Sequence, residues 1–208
     1  MSGALEDQVL SAVLADPVCR GLLEGMPRLG LDDWYLTAGA VFQNVWNART
    51  GRDPGHGIKD YDVFYFDADD LSWEAEDRVI RTAEGLVAGL RATVEIRNQA
   101  RVHLWYEQKF GKSIRPFRSA GDGIKSFAST TCSVGITVRN GHYEVFAPYG
   151  LDDTANLHLR PNPVMAPRAV YEQKVREYSE RWPELSHEPW PGMRGHLTSV
   201  PGPGPDVK

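Results

Sequence analysis

Two aspartates, one residue apart, open a strand-like run near the middle of the chain. Asp60 and Asp62 stand in the run Lys59-Asp60-Tyr61-Asp62-Val63-Phe64-Tyr65-Phe66. Side chains alternate between the two faces of a strand, so these carboxylates would project side by side. Charges of one sign that lie this close repel each other unless a proton or a cation separates them. Carboxylate oxygens suit Mg²⁺, with Mn²⁺ as the alternative, and we predict a divalent metal site. The competing interpretation is a solvated turn in which each aspartate bonds its own backbone.

Two further segments could complete a site for a nucleoside triphosphate. Gly39-Ala40 follows a short strand candidate and begins a helical segment, where backbone N–H groups can approach a phosphate closely. Glu95 lies in a later alternating strand, on the same face as Arg97. Three carboxylates from two strands could hold two Mg²⁺ ions, one for an attacking hydroxyl and one for the triphosphate. The alternative role of Glu95 is a surface ion pair with Arg97.

Several blocks of sequence, in a fixed order, extend this pattern over about residues 34 to 182. They are Ala38-Gly39-Ala40-Val41-Phe42-Gln43-Asn44-Val45-Trp46-Asn47, the Asp60 strand, Val94-Glu95-Ile96-Arg97-Asn98-Gln99-Ala100-Arg101-Val102-His103-Leu104-Trp105-Tyr106, Ala147-Pro148-Tyr149-Gly150-Leu151-Asp152-Asp153 and Arg160-Pro161-Asn162-Pro163. The set resembles the polymerase-beta-like nucleotidyltransferase superfamily, and within it a family of small nucleotidyltransferases. The resemblance implies a mixed sheet flanked by helices and Mg²⁺-dependent transfer of a nucleotidyl group from a nucleoside triphosphate.

Four other residues receive expected roles toward the triphosphate. Ala40 stands where the superfamily usually has Ser or Gly, so contact there would depend on backbone N–H groups. Asn44, one helical turn later, could add a side-chain donor, or could be an ordinary polar residue on an exposed helix face. The planar guanidinium of Arg97 suits a phosphate or the acceptor. Lys59 could pair with Asp60 or contact phosphate.

The bulk composition limits the class of protein and its partners. The chain has 208 residues, 25% charged, and a net charge of −5, which disfavours long nucleic acid as a partner. The acceptor hydroxyl could belong to a small molecule, a protein or an RNA end, and of these we expect a small molecule. Cys19 and Cys132 are too far apart for a metal motif and indicate buried filler in a reducing compartment. Without a signal-peptide pattern or a membrane-length apolar run, we predict a cytoplasmic protein with no membrane partner.

The pattern of apolar residues predicts an α/β (α+β) fold with a mixed central sheet flanked by helices. We predict helices over 4–15, 18–26, 41–48, 102–110 and 166–182, a helix capped within 69–72 that runs to about 90, strands over 34–36, 61–66 and 93–98, and a hairpin of 132–139 with 142–148. Residues 1–182 would form one domain with an N-terminal helical segment. Residues 183–208, rich in Pro and Gly, would form an extended or disordered tail. Trp105-Tyr106 indicates core packing, with base stacking as the alternative.

The function that fits these expectations best is nucleotidyl transfer to an unidentified hydroxyl acceptor. The alternative is a nucleotide-binding sensor or interaction module with weak or no transferase activity, which the absence of a hydroxyl at Ala40 favours. The three carboxylates favour the enzyme, because a module that only binds a phosphate has less use for acids beside it. The sequence does not identify the nucleotide, the acceptor or the oligomeric state.

Overall fold

The computed structural model describes residues 2–192 and orders eight helices and seven strands along that part of the chain. The helices are α1 (Ser2–Ala15), α2 (Pro17–Gly25), α3 (Gly39–Thr50), α4 (Trp73–Val87), α5 (Val102–Phe110), α6 (Ala120–Lys125), α7 (Asp152–Ala155) and α8 (Arg168–Arg181). The strands are β1 (Trp34–Thr37), β2 (Tyr61–Tyr65), β3 (Val94–Asn98), β4 (Gly135–Arg139), β5 (His142–Phe146), β6 (His158–Leu159) and β7 (Ser186–His187). Short 3₁₀ turns lie between several of them.

The central sheet is mixed and has the strand order β3-β2-β1-β4-β5. Strand β1 runs antiparallel to both neighbours, β2 and β4, whereas β2 and β3 are parallel. In this register Asp62 lies opposite Glu95 on one side and opposite Thr37 on the other. Residues paired across a sheet share a face, so the pairing brings two of the predicted acids together.

One face of the sheet forms the main hydrophobic core. Its fully or nearly fully buried strand residues are Leu36, Val63, Ile96 and Ile136, and they belong to one cluster with apolar side chains of α1, α2, α3 and α4. The opposite face carries Asp62, Phe64, Glu95 and Arg97, none of which is fully buried. The alternation of the strands thus separates the core from the face available for chemistry.

A second cluster, largely aromatic, attaches α8 to α3. Trp46 on α3 packs against Tyr178 and Trp182, with ring centroids 5.5 and 5.4 Å apart. The indole N–H of Trp182 donates to Oδ1 of Asn47 at 2.9 Å. These buried contacts bring α8 to the edge of the open sheet face.

The structure confirms the predicted fold class, the helices and strands of the central sheet, and the hairpin at Asn140-Gly141. Both hairpin residues have positive φ, 50° and 77°, as a tight two-residue turn requires. Helices α6 and α7 and strands β6 and β7 are additional to the prediction. Strand β7 pairs with β6, so the first residues of the expected tail are packed against the domain. Residues 193–208 lie outside the described part of the chain.

No helix among the described residues is long and apolar enough to cross a membrane.

Candidate active site

The predicted acids meet on the open face, near the beginnings of β2 and β3. Asp62 and Glu95 are register partners on adjacent parallel strands, and both line one cleft. Asp60 precedes β2 by one residue and, unlike Asp62, is not one of the residues that line the cleft. Its negative charge nevertheless raises the pKa of Asp62. The structure therefore brings Asp62 and Glu95 together, with Asp60 beside them.

The surroundings of Asp62 disfavour the ionised form of its carboxyl. Burial, which is the largest cause, and the charges of Asp60 and then Glu95 together raise the pKa of its carboxyl to about 7. Lys174 and Arg97 act in the opposite direction but do not compensate. A carboxyl whose pKa lies near neutrality in a cleft is typical of functional sites, because a binding partner can relieve the repulsion.

Glu95 is engaged by its neighbour on the same strand face. Nη2 of Arg97 lies 3.2 Å from Oε2 of Glu95, and the two side chains are 53% and 40% exposed, respectively. This is the ion pair that the sequence offered as the alternative role for Glu95. An exposed pair of this kind contributes about 0–1 kcal/mol, so either partner can exchange it for a ligand at small cost.

The cleft that contains these groups has a volume of about 730 Å³. Ala38 and Phe42 line one region of it, at the beginning of α3. Tyr178 and Lys174 of α8 line it as well, while α4 and α5 contribute mostly aromatic side chains. The volume is in the range of small-molecule sites, about 300–1,000 Å³.

The beginning of α3 combines backbone strain with close packing. Ala38, the N-cap residue, has φ 55° and ψ −140°, a region that residues with a Cβ rarely adopt. Its carbonyl accepts from the N–H groups of Val41 and Phe42. A Cβ added to Gly39 would lie 2.7 Å from Nε2 of Gln43, so glycine permits the close packing of this first turn. Ala40 is fully buried.

Asn44 points into the protein core and does not line the cleft within residues 2–192. Only 1% of it is exposed, and its Nδ2 donates to Oδ2 of Asp16 at 3.0 Å and to the carbonyl of Ala40 at 2.9 Å. Its Oδ1 accepts from the N–H of Gly55 at 2.8 Å. Both ends of the Asn44 amide are therefore hydrogen-bonded within the protein. The side chain holds α3 against the start of α2 and the loop before β2, and it does not serve as the predicted donor to a triphosphate.

Asp16 is the centre of this buried network. Its Oδ2 accepts from the hydroxyl of Tyr61 at 2.9 Å, and its Oδ1 caps α2 through the N–H of Val18 at 2.9 Å. Burial and the Asp16 charge raise the pKa of Tyr61, which stays a neutral donor. Tyr61 stands between Asp60 and Asp62 in the chain, so the network fixes the backbone that carries both acids.

Lys174 lines the cleft, and the sequence interpretation gave it no role. It lies on α8 with its side chain in the cleft, where burial raises the pKa of Asp62 and of Cys132 and the charge of Lys174 partly offsets both shifts. Its Nζ is 3.4 Å from the hydroxyl of Tyr178, and it has no salt bridge to any residue in 2–192. The sequence contains a pattern that predicts this position. Tyr171, Lys174 and Tyr178 are spaced three and four residues apart, so they share the buried face of α8.

Lys59 acts electrostatically on Glu177 of α8. It is exposed and does not line the cleft in the described part of the chain. The pKa of Glu177 is lowered by a hydrogen bond from Gln173 and, more weakly, by the charges of Lys174 and Lys59. The identified electrostatic partner of Lys59 is therefore the carboxylate of Glu177, and the expected contact with phosphate stays a prediction.

The donor set fits a divalent cation in its chemistry but is not assembled into a cage. Across residues 2–192, no three His, Cys, Asp or Glu side chains are grouped closely enough to hold a metal ion. The oxygen donors of Asp60, Asp62 and Glu95 are the hard ligands that Mg²⁺ and Mn²⁺ take. The charges of Asp60 and Glu95 repel the ionised carboxylate of Asp62, and a bound cation would offset this repulsion.

Acids on adjacent strands, beside the first turn of a helix, are an arrangement suited to a protein that binds nucleotides. A family model described as Nucleotidyltransferase matches residues 24–187, and the chain belongs to this family. The fold is similar to a solved structure described as revealing a CCA-adding enzyme head domain. The TM-score is 0.70 at 24% identity, over 88% of this chain and 95% of the other. A comparison with curated proteins found no match.

Proposed function

We propose that the protein transfers a nucleotidyl group from a nucleoside triphosphate to a hydroxyl acceptor, with Mg²⁺ held by Asp60, Asp62 and Glu95. The observation that carries the proposal is the pairing of Asp62 with Glu95 on one open sheet face, with the pKa of Asp62 raised to about 7. Binding of a cation there would remove the repulsion and keep the carboxylates ionised.

The reaction follows the general course of nucleotidyl transfer. The acceptor oxygen attacks the α-phosphorus, a new O–P bond forms, the bond to the bridging oxygen of the β-phosphate breaks, and pyrophosphate leaves. Bound Mg²⁺ would supply charge neutralisation for the triphosphate and a lowered pKa for the attacking hydroxyl. Glu95 would orient that hydroxyl, or accept its proton, from the edge of the site.

The cations of the cleft would bind the triphosphate. Lys174 suits the leaving pyrophosphate, because it lies beside Asp62 and has no carboxylate partner among the described residues. Arg97 suits a phosphate oxygen once Glu95 turns to a metal. At the beginning of α3, the backbone N–H of Gly39 would contribute, since this end of a helix favours negative charge, whereas Ala40 is fully buried and serves the packing of the helix.

The second candidate is a nucleotide-binding module without efficient transfer. Two observations favour it: Ala40 offers no hydroxyl at the helix start, and Glu95 is paired with Arg97 while no three acids of the described residues are close enough to hold a metal ion. A module of this kind would bind the triphosphate but would release no pyrophosphate when acceptors are supplied.

The test is the Mg²⁺ dependence of triphosphate binding, measured by calorimetry for each nucleoside triphosphate. We expect Mg²⁺ to tighten binding, and we expect Asp62→Ala to abolish this effect. Asp70→Ala is the matched control, because Asp70 is an exposed aspartate outside the cleft. Mg²⁺-dependent binding that survives unchanged in Asp62→Ala would contradict the assignment of Asp62 as a metal ligand.

A second experiment separates the two candidates. Each labelled nucleoside triphosphate is incubated with the protein, Mg²⁺ and a cell extract, and both pyrophosphate and labelled products are measured. A labelled acceptor supports transfer, binding without pyrophosphate release supports the module, and pyrophosphate without a labelled acceptor identifies a hydrolase. The cytoplasmic location and the preference for a small-molecule acceptor over long nucleic acid stay predictions.

A further inference from the structure

The cleft contains a region that the proposed chemistry does not use. We define it as the aromatic lobe, whose side chains are Trp73, Trp105, Tyr106, Phe110, Phe117 and Met165. These residues come from α4, α5, the segment after α5 and the loop before α8. None of them carries a group suited to phosphate or metal chemistry.

Two indole rings of the aromatic lobe are exposed to solvent. Trp105 is 44% exposed and Trp73 is 62% exposed. Tyr106, next to Trp105, is buried, and its ring packs on Phe110 with centroids 4.6 Å apart. A large aromatic surface that is left open above a packed aromatic base is typical of a ligand site, because the exposure is unfavourable until a ligand covers it.

The charges around the aromatic lobe favour an anionic ligand. Arg101 and Glu76 form a largely buried salt bridge and neutralise each other. Lys109 lies with its Nζ 5.6 Å from the ring centre of Trp105 and 5.5 Å from that of Phe110. It has no salt bridge within residues 2–192, so the lobe presents one uncompensated positive charge beside flat apolar surface.

The topology separates the aromatic lobe from the beginning of α3. Helix α3 follows the end of β1, where Thr37 pairs with Asp62 near the beginning of β2. The lobe instead follows the opposite ends of β2 and β3, through α4 and α5. Asp62 and Glu95 therefore lie at the end of the sheet nearer to α3, and the aromatic lobe lies toward the other end. In an in-line displacement the attacking and leaving oxygens stand on opposite sides of the phosphorus.

We infer that the aromatic lobe is the acceptor subsite, and that the acceptor is a small hydroxyl compound with a flat aromatic body and a negatively charged group. The inference depends on the proposed function, because it places pyrophosphate at α3 and Lys174. The aromatic body stacks on Trp105, the anion faces Lys109, and the hydroxyl reaches Glu95. A sugar would find few polar partners in the lobe, and a polynucleotide would find a single uncompensated cation there.

The probe for this experiment is 8-anilinonaphthalene-1-sulfonate, a flat aromatic anion whose fluorescence rises on binding. We expect one saturable site, with affinity about tenfold weaker in Trp105→Ala. Tyr143→Ala is the matched control, since Tyr143 is an exposed aromatic residue on β5 outside the cleft. Lys109→Met should weaken binding of this probe but not of uncharged N-phenyl-1-naphthylamine, and Lys112→Met should affect neither.

Simultaneous titration with a nucleoside triphosphate and Mg²⁺ decides the assignment. Additive binding of probe and triphosphate supports a separate acceptor subsite. Competition would assign the lobe to the base of the nucleotide and overturn the inference. Probe binding that is indifferent to Trp105→Ala would overturn it as well. Loss of probe binding at protein concentrations where sedimentation shows a dimer would also overturn the inference, because a second copy would then cover the lobe.

The triphosphate titration without the probe tests the proposed function separately. If Mg²⁺-dependent triphosphate binding is absent there, the transferase proposal fails whatever the probe does. If it is present and the probe competes with it, only the acceptor assignment fails. An acceptor panel then provides the direct check: flat aromatic hydroxy acids should be labelled, and their KM should rise about tenfold in Trp105→Ala while the KM for the triphosphate stays unchanged.

Discussion

Replacement of Asp62 by asparagine should stabilise the protein in a pH-dependent way. The ionised carboxyl of Asp62 is disfavoured in the folded state by burial and by the charges of Asp60 and Glu95, which together raise its pKa to about 7. An asparagine of similar shape keeps the polar group but removes the charge. The variant should therefore escape a repulsion that the wild-type protein carries at neutral pH.

The sign and size of the effect follow from proton linkage. The unfolded chain loses the Asp62 proton near the ordinary value of 3.8, whereas the folded chain retains it until about 7. The folded state thus binds more protons between these values, and the stability of the wild type falls as pH rises through this window. Three pKa units correspond to about 4 kcal/mol as an upper limit. Solvent in the cleft reduces this value, and we expect about 2 kcal/mol.

The assay is urea denaturation in the presence of EDTA at a series of pH values from about 4 to about 8. Asp62→Asn and wild type should have similar stability at the acid end and diverge toward the alkaline end, with the variant more stable. Mg²⁺ should reduce the difference at high pH by stabilising only the wild type. Asp70→Asn is the control: hydrogen bonds from Ser72 and Arg78 lower the pKa of Asp70, so no gain is expected. Parallel stability curves for Asp62→Asn and wild type across this range would refute the electrostatic account of the cleft.

Three further changes test other parts of the site. Lys174→Met should weaken Mg²⁺–triphosphate binding about tenfold in calorimetry and raise the pKa of Asp62 further, whereas Arg176→Met on the exposed side of α8 should do neither. Asp16→Ala removes the acceptor for Tyr61 and should cost about 3 kcal/mol in urea denaturation, and a cost below that of Tyr61→Phe would contradict the central role of Asp16. Ala38→Gly should stabilise by about 1 kcal/mol, because glycine adopts the observed φ of 55° without strain, and destabilisation would show that the Ala38 methyl packs favourably.

The parts of the site that alternate along strands were predictable from the sequence. The two-residue period of a strand places Glu95 with Arg97 on one face of β3, whereas Asp60 lies just before β2 and is outside the reach of that rule. The meeting of Asp62 with Glu95 across β2 and β3 required only that two strands pair in a common register. Helix α5 was predicted with its observed bounds, 102–110. Of the two adjacent aromatic residues expected in the core, Tyr106 is buried and Trp105 is half-exposed.

The roles of helical residues were less predictable, because helical spacing does not say which face is buried. Ala40 and Asn44 share a face of α3, as expected, but that face packs on Asp16, the N-cap of α2, and on Cys19 within that helix. Lys174 stands in a charged helix, and its place in the cleft depends on the aromatic contacts that attach α8 to α3. Contacts of this kind join residues more than one hundred positions apart, which a local pattern does not encode.

Repulsion at Asp62 supports the proposed metal site, even though no three acids of the described residues are grouped closely enough to hold an ion. Glu95 and Arg97 form an exposed ion pair, which contributes about 0–1 kcal/mol and is inexpensive to break. A divalent cation beside Asp62 would offer Glu95 a stronger partner and relieve the repulsion that Asp62 experiences. Arg97 would then lose its carboxylate and become available to a phosphate oxygen. We therefore expect metal and triphosphate to bind cooperatively, with Arg97→Ala reducing the Mg²⁺ dependence of triphosphate affinity rather than the affinity for Mg²⁺ alone.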